Sequence, residues 1–366
     1  MSELAESERR PPEGGETPSI QGAPPVEGTL LEVAPPVAEA APGPIARLTQ
    51  KALALMPWAS LGLSTWSAFE MERSRDEARL IAAIAAGSWV AMLVVSLVLG
   101  YVEQRATAAW VKGVARFSMT ALAQNVLQLC LYFALPLYLF SAAFTFPQIV
   151  FLGALFAAAV VITWDPFCER ALESPIARAA LTAFVSFASM AAVLPMIGVR
   201  HGVSLWISAL MVAVFAPLVR YLELRRERIP VATLLFSLML PVGLLLDLPR
   251  AIPPAPLRLV EIGLGTGVEN RTLVGASDVF ETPPAKLHCF SAVAAPVGLR
   301  EHLEHVWSHD GKVFEPIELE VRGGREAGFR TWTRRSLGKN PAGVWTCEVR
   351  TPLGQVLGRA SARVKG

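Results

Sequence analysis

Cys289 and Cys347, the histidines His288, His302, His305 and His309, and the alternating run Arg330, Trp332, Arg334 are the side chains of this 366-residue chain whose types and spacing could do chemistry. Four of the five histidines fall between residues 288 and 309, and a strand there would set His305, Trp307 and His309 on one face. A metal site needs three or four converging ligands, whereas these flank a tryptophan suited to a core. Packing and hydrogen bonding are therefore the expectation, with no metal and no cofactor. Arg330, Trp332 and Arg334 would share the opposite kind of face, able to stack on a sugar or to grip an anionic headgroup. The competing reading pairs these arginines across a sheet with Glu315, Glu318 and Glu320, which stabilises little at exposed positions. Upstream, Gln124, Asn125 and Gln128 lie on one face of a long apolar helix. Such amides hydrogen-bond to neighbouring helices or line a polar path. No paired carboxylates, HExxH motif or glycine-rich phosphate loop occurs, and a membrane enzyme would need Asp165, Glu169 or Asp247 to converge. The expectation is that the chain is not an enzyme.

Those residues need elements to hold them. Hydrophobic side chains make up 53% of the chain and the mean hydropathy is +0.44, outside the range of ordinary soluble proteins. Crossing a hydrocarbon core of about 30 Å takes about 20 helical residues. Six stretches qualify by that measure: 80–101, 118–141, 147–164, 179–198, 204–222 and 229–248. A seventh, 53–69, carries Trp58 and Trp66 near its ends and either spans or lies along the interface. The fold-class expectation is a helical transmembrane bundle of six strong spans, with 53–69 as a seventh. Proline interrupts four segments, at Pro136, Pro195, Pro217 and Pro241, each removing a helical hydrogen bond.

Before the bundle, residues 1–45 hold nine Pro, five Gly, eight Glu and no aromatic residue, which reads as a disordered tail. It has no short apolar core before a small-residue cleavage site, so no cleaved signal peptide is expected. The remaining layout is a transmembrane domain at 46–249, a proline-rich linker at 250–260 and a β-domain at 261–366. Loops 102–116, 165–178 and 220–228 hold nine Lys/Arg, against Arg200 alone on the opposite turns, which sets the first group in the cytoplasm. The C-terminal domain is then periplasmic or extracellular, and the tail cytoplasmic. The three arginines of 72–79 run against a seven-span arrangement. The net charge of +2 suggests no nucleic-acid partner.

From 287 onward the pattern changes to alternation. Strands are expected at 287–293, 302–308, 313–321, 329–337, 343–349 and 356–364, with a tight turn at Asp310-Gly311, because both residue types tolerate positive φ. About 105 residues suit one immunoglobulin-like sandwich. Along 343–349, Trp345, Cys347 and Val349 face inward. The order Cys289, Trp307, Cys347 echoes an inter-sheet disulfide packed on tryptophan, though the intervals differ from the standard ones. The alternative is two reduced, buried thiols acting as small hydrophobes.

The run "HVWSHDGK…ELEVRGGREAGFRTWTRRSL…AGVWTCEVRTPLGQVLGRASARV" resembles the bacterial domain-of-unknown-function family numbered 2914, over roughly 300–364, with weaker agreement at 268–280. The preceding helices are similar to the membrane family numbered 5924 that often accompanies it, most clearly at "PWASLGLSTW". The resemblance implies an architecture and carries over no catalytic residue. The expected protein is thus a bacterial inner-membrane protein. Its β-domain would bind or sense an envelope protein, a glycan or an anionic headgroup; the alternative is a transporter or channel with a regulatory β-domain.

Overall fold

The computed structural model describes residues 87, 101, 105, 109–164, 167–168, 170, 174–223, 231–325 and 327–366. The tail 1–45, the segment 53–69, all of 80–101 except Gly87 and Tyr101, and Asp165 and Glu169 lie outside the described residues. Everything described belongs to one compact unit, Lys51–Gly366.

Five α-helices are delimited among the described residues: α1 (Ala109–Ser141), α2 (Phe146–Thr163), α3 (Pro175–Val193), α4 (His201–Glu223) and α5 (Val231–Leu246). Pro147 and Pro175 open α2 and α3, where a missing N–H costs nothing, and Ser174 Oγ accepts from Ala177 N ahead of α3. Their shared core is built from Leu131, Tyr138, Leu155, Ile162, Phe187 and Leu205.

The six- or seven-span bundle is not supported. Among the described residues only Phe146–Thr163 and Ala180–Ile197 are long and apolar enough to cross a membrane. The apolar parts of the last two helices are shorter, His201–Val214 and Ser237–Leu246, and α5 has 16 residues, about 24 Å at the helical rise. The described half of α1 carries Gln124, Asn125 and Gln128. Composition counts every apolar residue alike, but many of these face one another: Ala188, Ala191, Leu205 and Ala209 are fully buried between α3 and α4 and their neighbours. What stands of the expected architecture is a helical region followed by a C-terminal β-domain.

That β-domain has two main sheets. β1 (Arg258–Gly265), β5 (Lys286–Ala294) and β9 (Phe329–Ser336) form one, antiparallel in the order β1-β5-β9. The other is ordered β4 (Val279–Phe280), β11 (Val356–Val364), β10 (Gly343–Arg350), β6 (Arg300–His309), β7 (Lys312–Val313), with β8 (Ile317–Arg322) also pairing with β6. The strand expected at 313–321 is thus divided, at a point where Pro316 has no N–H to give a ladder. Asp310 and Gly311 turn the β6–β7 hairpin with φ of 46° and 81°. A small hairpin of β2 (Gly267–Glu269) and β3 (Thr272–Val274) lies over the outer face of the first sheet. There a Cβ on Gly263 or Gly265 would come within 2.7 Å of the Leu273 side chain, so glycine is what lets the hairpin close down.

The two regions are packed together. The proline-rich run expected as a spacer is largely buried, with Ile252, Ala255 and Leu257 wholly so. Gln148 at the start of α2 accepts from Ala143 N and donates to Val356 O on β11, 2.9 Å away. Gln355 donates to Ile252 O, and Glu301 of β6 accepts from His201 N at 2.6 Å. His201 opens α4, where free N–H groups and the helix dipole favour a carboxylate. Replacing Glu301 with Ala is expected to lower stability by about 1–3 kcal/mol, because a buried N–H loses its acceptor. Thermal unfolding of the full chain reads this, and an unchanged midpoint would discount the tie.

Candidate ligand-binding face of the β-domain

Inward and outward side chains alternate along β9, and each set has a separate task. Facing in, Thr333 Oγ1 lies 2.9 Å from His305 Nδ1 and accepts from Trp307 Nε1 at 3.0 Å. Ser291 Oγ on β5 lies 2.8 Å from His305 Nε2 and 2.9 Å from Thr331 Oγ1. Directly beside this chain, Cys289 of β5 and Cys347 of β10 are joined as a disulfide, Cα–Cα 6.3 Å, bridging the two sheets. Cys347 is paired in register with Trp307, so the bridge and the indole share one core with Leu287 and Trp345.

His305 lies within 4.8 Å of both sulfurs, the spacing of a three-ligand metal cluster. Bonded to each other, the sulfurs present no thiolate, and both imidazole nitrogens already face hydroxyl groups. Ser291 and His305 also have the separation of a nucleophile and its base, but both are wholly buried and the third group is a threonine hydroxyl. We read the chain as a structural tie. Burial pushes the His305 imidazole down to about 4. His201 is also lowered to about 4, by burial against the opposing contacts with Ala255 and Gln355.

Facing out, Arg330, Trp332 and Arg334 are exposed, Trp332 to 45%. The expected pairing of these arginines with Glu315, Glu318 or Glu320 does not form: Glu320 pairs with Arg322, and Arg330 Nη1 donates to Arg271 O at 3.4 Å. Trp332 stands opposite the buried Phe290, while Arg334 stands opposite His288. Successive outward residues are about 7 Å apart on a strand, so the Cα atoms of Arg330 and Arg334 lie about 13 Å apart with Trp332 between them. An exposed indole between two cations is suited to a ligand with a flat apolar face and negative charge.

The other expected site residues are placed elsewhere. Gln124 and Gln128 both donate to Ile162 O near the end of α2, at 3.2 and 3.1 Å, so these amides tie two helices together; Asn125 beside them is exposed. The histidines do not converge: His302 Nδ1 lies 2.9 Å from Arg200 Nη2, and His309 stacks on Trp345 at 4.3 Å with Nε2 near Ala342 O. Sequence reasoning missed the Ser291–His305–Thr333 chain. The signal was available, since Ser291 shares the inward face of Cys289 and His305 that of Trp307.

Comparison with known proteins gives two family models. The model described as a family of unknown function (DUF5924) matches residues 39–288, and that described as a protein of unknown function (DUF2914) matches residues 300–364. No curated protein matches the chain.

Two outcomes follow from the buried chain. The disulfide closes a separation of 58 residues, so changing both Cys289 and Cys347 to Ala should cost about 4 kcal/mol. That is a fall of about 10 °C in the thermal midpoint. Reductant should lower the midpoint of the parent chain and leave the double variant unmoved. The second outcome concerns pH. The unfolded imidazole binds protons near 6.5 and the folded one only near 4, so protonation favours unfolding. Stability is fully present above about pH 6.5 and is lost as pH falls toward 4, by about 3 kcal/mol for each of His305 and His201. A His305→Gln variant should start less stable at pH 7 and lose about half of this pH dependence. Parallel curves for variant and parent would contradict the assignment.

Proposed function

This chain belongs to the family of unknown function DUF5924, and on that premise we propose that it is a membrane-associated envelope protein whose β-domain lies outside the cytoplasm and binds an acidic glycan. The observation that carries the reading is the Cys289–Cys347 disulfide, since disulfides form and persist in oxidising compartments beyond the inner membrane. Two apolar helices, and exposed side chains such as Phe146, Ile149, Val150 and Phe156 along α2, support contact with lipid. The outward residues of β9 supply the recognition chemistry. The Trp332 indole offers a face for a sugar ring, while Arg330 and Arg334 offer bidentate donors to carboxylate or phosphate groups. A transport reading has no comparable support, because Gln124 and Gln128 each donate to Ile162 O and so join two helices.

Full-length protein in a neutral detergent should be retarded on immobilised polygalacturonate, more weakly as salt rises, and should pass freely through neutral dextran. Trp332→Ala and Arg334→Gln should each abolish most of the retardation without moving the thermal midpoint. In spheroplasts, added protease should reach the β-domain. Retardation that is indifferent to both substitutions would sink the ligand reading, and a β-domain protected until lysis would sink the location.

A further inference from the structure

A second place with binding geometry lies at the boundary of the helical region, on elements separate from β9. A cleft of about 240 Å³ opens between the end of α5 and the β10–β11 turn, lined by Leu244, Leu245, Asp247, Arg250, Arg350 and Gly354. Its polar end is organised. Arg250 Nη1 donates to Asp247 Oδ2 at 2.8 Å, and Arg350 Nε donates to Glu304 Oε2 at 3.0 Å. Each guanidinium carries five N–H donors, so each carboxylate aims its arginine and leaves other donors for a ligand. Gly354 has a φ of 81°, and a Cβ there would lie 3.0 Å from Arg250 Nε, so the arginine stem rests on the turn. Asp247 itself holds a φ of 150°, a conformation that L-residues avoid.

The apolar end of the cleft continues along α5. Leu235, Leu238, Met239, Val242, Leu245 and Leu246 are all exposed and fall at helical spacing on one stripe. An apolar stripe that is exposed among the described residues and ends at two guanidinium groups aimed by carboxylates has the order of groups found where acyl chains meet phosphates at a bilayer surface. A sugar acid or free nucleotide would use the arginines and leave the stripe uncovered.

We infer that this cleft is a binding site for the phosphate of an anionic phospholipid, with Arg250 and Arg350 holding the phosphate and an acyl chain lying along α5. The inference rests on the proposed membrane association of the helical region but not on the glycan reading of β9. Inorganic phosphate shares the headgroup's chemistry, so the test separates the two. The full chain in neutral detergent micelles is titrated with a fluorescent short-chain phosphatidylglycerol, and bound probe is read by anisotropy. Binding should saturate. Arg250→Gln and Arg350→Gln should each weaken it about tenfold or more, the loss expected for charge-assisted hydrogen bonds. Leu245→Ser should weaken the lipid probe although it removes no charge, and Trp332→Ala should leave binding unchanged. Short-chain phosphatidylcholine and inorganic phosphate should compete poorly.

Complete displacement by millimolar inorganic phosphate would overturn the lipid assignment. Absence of saturable binding, or equal affinity across the arginine variants, would overturn the site. Each variant is scored only with the Cys289–Cys347 link formed. Should Arg350→Gln fail to fold, Arg350→Lys and Leu245→Ser carry the same comparison. A chain found outside the membrane fraction would remove the premise while the micelle titration still reports on the cleft.

Discussion

The covalent bond between Cys289 and Cys347 is the constraint from which the rest of the β-domain follows. It pins a strand of the three-stranded sheet to a strand of the larger one at a fixed separation. Trp307 fills the adjacent space. Two sheets held that close must bury whatever polar groups point between them, and each such group needs a partner because water is excluded. His305, Ser291, Thr331 and Thr333 satisfy one another in one chain across the gap. With the inward hydroxyl groups of β9 so committed, strand alternation leaves Arg330, Trp332 and Arg334 no direction but outward.

A second constraint joins the β-domain to the helices. Gln148, Gln355 and Glu301 are buried polar side chains whose partners are backbone groups of the other region. Such groups are expensive to leave unmatched, so they specify one docking arrangement in a way an apolar contact would not. The buried Ile252, Ala255 and Leu257 fill the space between them. The β-domain is therefore held against the helical region along several elements, and a ligand at the boundary cleft would touch residues of both.

The overturned span count shows what apolar runs do and do not specify. A leucine or alanine on a helix is equally apolar whether it meets a lipid chain or another helix. Between α3 and α4 small residues permit close approach, and the resulting contacts bury much of the surface that the runs advertise. The amides of α1 follow the same logic, because their spacing established a shared face and the approach of α2 established what that face is for.

Local pattern alone was enough to place β5, β6, β9, β10 and β11, the Asp310-Gly311 turn and the inward direction of Cys347, since each depends on side-chain alternation or on φ preferences within a few residues; it did not show β1 to β4 or the break between β7 and β8. It also placed Arg330, Trp332 and Arg334 on one face. Tertiary structure decided that Cys289 meets Cys347, that the arginines find no partner on β8, and that Gln148 reaches a strand 208 residues away. It alone brought Arg250 and Arg350 to one cleft. These are contacts between segments distant along the chain, fixed by how whole faces fill space together, and no short-range periodicity carries that information.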